Sequence, residues 1–464
     1  MSNTSLATLD ALGAAAAVRS GIASAVEITE AALAHIEARN PALNAFTAVT
    51  AERALAEAKA VDRSRALGQP LGPLAGAPFA VKNLFDIAGL VTLAGSKIDA
   101  ERPPAASDAF ILRRLTDAGA ILVGALNMDE YAYGFTTENT HYGAVHNPHD
   151  HAHVAGGSSG GSGAAVAGGL VPIALASDTN GSIRVPASFC GTFGLKPTYG
   201  RLSRAGTRPF VASLDHLGPL ARTVGDLAAS YDAMQGADPA DPACASRPVE
   251  LTSPGLEHGA VGLRIAVAGG HFASAGAAAE AVAIVARALR SELVVEIPEA
   301  ARARAAAFVI SASEGADLHF ADLKSRAQDF DPMTRDRFLA GALVPAGWVL
   351  RAQRFRRWYR EQVLALFREV DIILAPATPC PAPRIGQETI EIDGVAVPMR
   401  PFIGVYTQPL SFVGLPIVAA PLRKLGELPI GVQIIAAPWR EADALRVARA
   451  LERDGVTNAE PALG

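Results

Sequence analysis

The sequence predicts an α/β fold, because short apolar segments typical of buried strands alternate with longer segments that have the periodicity of helices. The 464-residue chain is 50% hydrophobic and 19% charged, a composition typical of a globular protein with a large core. The sequence has no repeat of fixed period and no segment typical of an interdomain linker. We therefore predict one domain that spans residues 1–464.

Helices are predicted where apolar residues recur every three to four positions. The first has the Ser24–Glu27 spacing of a capping box and is expected to stop at Asn40-Pro41. Ser107 is the expected cap of the third helix and Thr223 that of the fifth. The predicted helices after the first are residues 51–66, 107–119, 164–168, 223–234, 277–290, most of 300–367, and 441–452.

Strands are predicted where short apolar runs lie between loops rich in glycine and proline. The first of them follows such a loop at residues 68–78 and ends in Lys82. Residues 214–219 are expected to form a turn, and residues 236–257 a surface excursion rich in Pro, Asp and Ala. The predicted strands are residues 79–83, 120–124, 171–176, 263–268, 371–376, 412–420 and 430–436.

Two serine-containing loops indicate the chemistry. One is the glycine-serine run from Gly156 to Gly163, and the other runs from Asp178 to Arg184 and contains Ser182. Glycine permits positive φ and close approach of the backbone to a ligand, so these loops are expected to present exposed hydroxyls beside unpaired N–H groups. An acyl-transfer enzyme requires both features.

The residues allow two interpretations of the nucleophile. In the first, residues 156–160 match the G-x-S-x-G nucleophile elbow, with a downstream histidine as base. That elbow requires a preceding strand, and Asp150 to Ala155 has little apolar alternation. In the second, Ser182 attacks, Ser158 relays its proton, and Lys82 is the base, because burial after a strand would lower the lysine pKa towards a neutral form.

Three motifs resemble the amidase signature family of amide hydrolases. They are residues 80–83, 156–162 and 178–186, and the similarity continues through residues 194–198. It returns more thinly near residues 414–416 and 429–433. The resemblance covers roughly residues 25–235 well and 371–453 loosely. It implies a large twisted mixed β-sheet with helices on both faces, a signature core at about 70–235 and a variable helical region at about 236–370.

The resemblance also implies roles for the loop residues. Lys82 would be the base, Ser158 a relay that follows a cis peptide bond, and Ser182 the nucleophile. The oxyanion hole would consist of backbone N–H groups, and three further residues would brace the loops. The implied oxyanion residues are Thr179, Asn180, Gly181 and Ser182, and the bracing residues are Asp178, Ser159 and Arg184. Neither a metal nor an organic cofactor is implied.

Asn180 stands where most of the family has glycine. Together with residues 136–139, 201–204 and 210–215, it makes the chain most similar to the branch that hydrolyses 1-carboxybiuret. That branch implies a dimer with a small accessory subunit. In related glutaminases, a substrate carboxylate is bound roughly where Arg337 falls in this chain.

Other members of the family provide alternatives. The glutaminase subunits of tRNA-dependent amidotransferases use an aspartate whose approximate equivalent lies within residues 403–405, where this chain has no acid. A general aliphatic or aryl amidase is a second alternative. An inactive scaffold is disfavoured, because the positions of Lys82, Ser158 and Ser182 are all intact.

Composition argues against several other classes. The net charge is −5 and basic residues are scattered, so nucleic-acid binding is not expected, and Arg351 to Arg360 is interpreted as the solvated face of a helix. Three cysteines at wide spacing favour a reducing, cytoplasmic location. Neither a signal peptide nor a membrane span is predicted.

The histidines from His141 to His153 could suggest a metal site, but Pro148 and Asp150 favour a loop. The glycine run lacks the ending of a phosphate-binding loop.

Overall fold

A computed structural model describes residues 3–273, 275–424 and 426–462. Within these residues, eleven strands form one central sheet. In chain order they are β1 (Phe46–Val49), β2 (Pro78–Lys82), β3 (Ile121–Leu126), β4 (Ile173–Asp178), β5 (Phe193–Lys196), β6 (His216–Ala221), β7 (Ile265–Ala268), β8 (Leu293–Val295), β9 (Ile372–Pro376), β10 (Ile417–Leu422) and β11 (Ile430–Ala436).

The sheet is mixed, with the spatial order β1-β3-β2-β4-β6-β5-β10-β11-β9-β7-β8. Strand β2 is parallel to both β3 and β4, whereas β6 is antiparallel to β4 and β5. Every residue of β2, β4 and β6 is buried. This burial explains why these strands consist of nearly continuous small and apolar residues. The predicted α/β class with a large mixed sheet is confirmed.

The described residues also form sixteen α-helices. They are α1 (Asn3–Ala7), α2 (Ala11–Ser20), α3 (Ala25–Leu43), α4 (Ala51–Ala66), α5 (Phe110–Asp117), α6 (Gly160–Ala167), α7 (Arg184–Cys190), α8 (Val224–Met234), α9 (Gly276–Ala288), α10 (Ala300–Leu318), α11 (Phe320–Arg326), α12 (Pro332–Ala342), α13 (Ala346–Leu366), α14 (Met399–Phe402), α15 (Gln408–Ser411) and α16 (Glu441–Arg453). Three small two-stranded sheets lie outside the central sheet, and they pair residues 138–139 with 143–144, 146–147 with 150–154, and 389–392 with 395–398.

Several helix boundaries differ from the predictions. Helix α3 begins at the predicted capping box but continues through Pro41, and it ends at Leu43, where Asn44, at φ 53°, forms its left-handed cap. Ser107 does not cap α5, which follows Ala109 without a side-chain cap. Helix α6 begins at Gly160 rather than at residue 164. The helical region from 300 to 367 and the Thr223 cap of α8 are confirmed.

Two strand predictions were wrong. The expected turn at residues 214–219 contains most of β6, which hydrogen-bonded neighbours on both sides hold extended despite Gly218 and Pro219. The expected strand at residues 412–420 begins only at Ile417, because residues 408–411 form helix α15 and Gly414 has φ 81°. Short strands such as β1, β5 and β8 were missed because their apolar runs are too brief to recognise alone.

The arginine-rich segment from 351 to 360 lies in α13 as predicted, and most of its arginines are exposed. Arg356 is an exception, because it donates to the carbonyls of Phe412 and Ser213. Among the described residues, no helix has the length and apolarity required to cross a membrane.

Candidate active site

Lys82 is the last residue of β2, an interior strand of the sheet, and is fully buried. Its Nζ is 2.6 Å from Ser158 Oγ and 2.9 Å from Ser177 Oγ. Burial lowers the pKa of Lys82 to about 7, although the charges of Asp129, Asp215 and Asp178 act in the opposite direction. A substantial fraction of this lysine is therefore neutral near pH 7, which is the form that can accept a proton.

Ser158 follows a cis peptide bond from Gly157 and lies two residues before Gly160, where α6 begins. Gly157 has no room for a side chain, since a Cβ atom there would lie 2.1 Å from Asp129 Oδ2. The neighbouring Ser159 donates from Oγ to the carbonyl of Ser177, 3.2 Å away. These contacts place the glycine-serine loop against the ends of β2 and β4.

The loop that carries Ser182 connects β4 to α7. Both oxygens of Asp178 accept hydrogen bonds from this loop, from the Gly181 N–H at 2.7 Å and the Ile183 N–H at 3.2 Å. Arg184 Nε donates to the same carboxylate at 2.9 Å, and its Nη1 donates to Gln433 at 2.6 Å. Burial alone would raise the pKa of Asp178, but Arg184 holds it below its usual range. The carboxylate therefore stays charged and fixes the loop.

Asp178→Asn is expected to lower the free energy of unfolding by about 3–5 kcal/mol, because it leaves the buried Arg184 without its counter-charge. Urea unfolding would measure this loss. Asp336→Asn is the matched control, since the Asp336 side chain is 74% exposed and should change stability by about 0.5 kcal/mol or less. Equal unfolding midpoints for the two variants would contradict the bracing role of Asp178.

Ser182 lines a small cavity of about 20 Å³. The sequence predicted exposed hydroxyls at Ser158 and Ser182. Both residues are instead buried, at 0% and 3% exposure. The cavity wall is partly aromatic and carries a few polar groups, a composition typical of small-molecule sites. The lining residues are Ala132, Tyr133, Gly134, Phe135, Thr179, Asn180, Ser182, Phe210, Phe308, Ser311, Arg337 and Gln408.

Arg337 reaches this cavity from α12 and is partly buried. Its Nη1 donates to the Tyr133 carbonyl at 2.7 Å, and the guanidinium lies 3.6 Å from the centroid of the Tyr133 ring. Among the ion pairs of the described residues, none involves Arg337. The guanidinium therefore retains donors for an anionic group in the cavity.

The predicted oxyanion residues lie in the same loop, but one of their N–H groups is engaged. The Gly181 N–H donates to Asp178 and is therefore occupied. The N–H groups of Thr179, Asn180 and Ser182 remain as the predicted oxyanion donors. Thr179 and Asn180 line the cavity beside Ser182.

The site also contains residues that the sequence did not reveal. Ser177 contacts the lysine from β4, and Ser311 and Gln408 reach the cavity from α10 and α15. The one signal in the sequence was the polar Ser177 directly after the apolar residues 173–176 of β4. Ser311 and Gln408 lie in segments without a recognisable motif, and only the folded chain brings them to the site.

The nucleophile-elbow interpretation fares poorly, although one objection to it was wrong. Residues 150–154 do form a strand, yet it pairs only within a small sheet with residues 146–147 and lies outside the central sheet. The partner of Ser158 is Lys82 rather than a histidine. Nearby histidines have other contacts, such as His149 with the Cys190 carbonyl and His141 with Glu130. In the described chain, no group of three metal-ligating side chains is positioned to hold an ion.

The chain is similar to known proteins along most of its length. The protein-family model for amidases matches residues 27–445. AtzE, a 1-carboxybiuret hydrolase subunit of Pseudomonas sp. (strain ADP), is 59% identical over 444 residues, covering 95% of this chain and 97% of that protein. A glutamyl-tRNA(Gln) amidotransferase subunit of Anaeromyxobacter sp. (strain K) is 39% identical, covering 95% of each chain.

A solved structure shows the same fold. It comes from a vestigial protein complex that reveals the evolutionary origins of an s-triazine catabolic enzyme, and it superimposes with a TM-score of 0.96 at 56% identity. It covers 97% of this chain and 100% of its own. Together with the family match and the buried serine and lysine loops, this similarity shows that the chain is an amide hydrolase that belongs to the amidase signature family.

Proposed function

We propose that this amidase releases ammonia from a small carboxylated amide, 1-carboxybiuret, and uses Ser182, Ser158 and Lys82 as a catalytic triad. One observation carries the substrate class: the cavity brings Ser182 together with Arg337, whose charge has no carboxylate partner among the described residues. The identity of 59% to a 1-carboxybiuret hydrolase subunit supports the specific substrate.

The catalytic cycle begins when neutral Lys82 takes a proton from Ser158. Ser158 takes the proton of Ser182 as Ser182 Oγ attacks the amide carbonyl, and backbone N–H groups of the adjoining loop stabilise the oxyanion. The protons return by the same route to the leaving nitrogen, so ammonia departs and an acyl-enzyme remains. Water then attacks the acyl group through the same relay and releases the acid. Every proton in this cycle is carried by the chain's own side chains or by water.

Arg337→Ala is expected to raise KM for a carboxylated substrate by about 10- to 100-fold, because a charge-assisted hydrogen bond is lost. KM for a neutral amide should change by about threefold or less. Initial-rate assays of ammonia release on both substrates would measure the difference.

Arg335→Ala provides the matched control for this variant. Arg335 lies on the same helix but pairs with Asp336 and Gln328, and it does not line the cavity. The control should leave both KM values unchanged. Equal increases of KM for the carboxylated and neutral substrates in Arg337→Ala would refute a carboxylate-binding role.

Two other substrates compete with this proposal. The similarity to a protein of the tRNA-dependent amidotransferases raises a glutaminase role, but the segment Ile403–Gly404–Val405 contains no acid to hold an ammonium group. A general aliphatic or aryl amidase would use the same triad without Arg337.

We also propose that the chain forms a dimer with a small accessory subunit. Two observations support this proposal: AtzE is named as a hydrolase subunit, and the similar solved structure comes from a protein complex.

A substrate panel would test the proposed function. Ammonia release by the purified chain would be measured on carboxybiuret generated in situ, glutamine, biuret, malonamide and aryl-acetamides, with Ser182→Ala as the blank. The highest kcat/KM is expected for carboxybiuret. Turnover of apolar amides alone would reassign the chain as a general amidase, and preference for glutamine would favour the glutaminase role.

A further inference from the structure

The side chain of Asn180 contains an acceptor that the folded chain leaves unused. Asn180 is 8% exposed and lines the cavity beside Ser182. Its Nδ2 donates to Ser311 Oγ at 2.9 Å, whereas its Oδ1 is buried without a hydrogen-bond partner in the part of the chain that the structure describes. A buried acceptor without a donor is unfavourable, so a ligand that supplies the donor is bound more tightly.

Contacts at both ends hold this amide in place. The backbone carbonyl of Asn180 accepts from Thr407 Oγ1 at 2.7 Å, and Ser311 is fixed on helix α10, where it is 1% exposed. The Oδ1 atom is therefore oriented before the substrate arrives, and little conformational freedom is lost on binding. Glycine at this position would provide neither the acceptor nor the contact with α10.

We propose that Asn180 Oδ1 accepts a hydrogen bond from an N–H group next to the amide carbonyl that Ser182 attacks. The site then selects ureides, in which nitrogen separates two carbonyl groups, over amides with a methylene group at that position. A methylene group has the same size but offers no comparable donor, so it would leave Oδ1 unpaired. This inference rests on the proposed function, and it adds a determinant of specificity that is independent of the substrate carboxylate.

Biuret and malonamide are a matched pair of probes, because they differ only in an N–H or CH₂ group between two identical amides. Their dissociation constants would be measured by calorimetric titration of Ser182→Ala, which has no nucleophile to consume them. Biuret is expected to bind about tenfold more tightly than malonamide. Equal binding, tighter binding of malonamide, or failure to detect biuret would overturn the inference.

Further variants in the Ser182→Ala background assign the preference to Asn180. Asn180→Gly is expected to reduce the ratio of the two dissociation constants to about 1. Ser311→Ala should lower the ratio in part, since the amide loses one anchor. The control Ser325→Ala removes an exposed serine hydroxyl that donates to the Ala321 carbonyl, and it should leave the ratio unchanged. A ratio that survives Asn180→Gly would overturn the role of Asn180.

Turnover by the unmodified chain separates this inference from the proposed function. Selective binding of biuret without hydrolysis of any carboxylated amide would leave the ureide subsite intact and reject the proposed function. Hydrolysis of carboxybiuret together with equal binding of biuret and malonamide would support the proposed function and reject the ureide subsite.

Discussion

Ser182→Ala is expected to lower kcat/KM for ammonia release by about 10⁴-fold or more. Of the two predicted catalytic serines, Ser158 and Ser182, only Ser182 is among the described residues that line the cavity, and its loop is held by the Asp178–Arg184 ion pair. Without its hydroxyl, no acyl-enzyme can form, and binding alone leaves little rate acceleration. Steady-state ammonia release at saturating and limiting substrate would measure the loss.

The matched control for this variant is Ser162→Ala. Ser162 belongs to the glycine-serine loop and is buried, but its hydroxyl donates to the Leu175 carbonyl at 3.0 Å and it does not line the cavity. It should retain activity within about tenfold of the unmodified chain. Urea unfolding midpoints of the two variants would confirm that both are folded. More than a trace of turnover by folded Ser182→Ala would remove Ser182 from the mechanism.

Lys82→Met is expected to lower kcat/KM by about 10²- to 10⁴-fold, the usual contribution of a positioned base. Methionine retains the length and apolar stem of lysine, so the buried position should stay filled. Lys196→Met is the matched control, because Lys196 is also fully buried with a pKa lowered to about 7 by burial, yet it donates to the carbonyls of Pro197 and Leu415. The control should retain the kcat/KM of the unmodified chain per folded molecule. That result would show that a buried lysine acts as the base only where it contacts Ser158.

The same lysine predicts the pH dependence of activity. Lys82 must be neutral to accept a proton, and its neutral fraction rises with pH through its pKa of about 7. kcat/KM should therefore increase as pH rises through about 7 and level off above it. The residual activity of Lys82→Met should lack this acid limb, whereas Lys196→Met should keep it. An unchanged limb in Lys82→Met would assign the titration to another group.

Much of the fold was predictable because its signals are local. The capping box of Ser24 and Glu27, the helix at residues 51–66 and the strand at residues 430–436 each depend on short-range periodicity or on caps. The boundaries failed where distant groups determined the conformation. Strand β6 contains glycine and proline and was interpreted as a turn, yet pairing with β4 and β5 keeps it extended.

The candidate site divides in the same way. The sequence by itself determined the two serine loops and the buried lysine, since glycine spacing and an apolar strand ending in lysine are visible within short segments. Only the tertiary structure decided which groups surround Ser182. Asn180 meets Ser311 across 131 positions of sequence, and Arg337 enters from a helix without a motif. Contacts between such distant residues depend on how whole helices and strands pack together, and the local sequence pattern does not predict that packing.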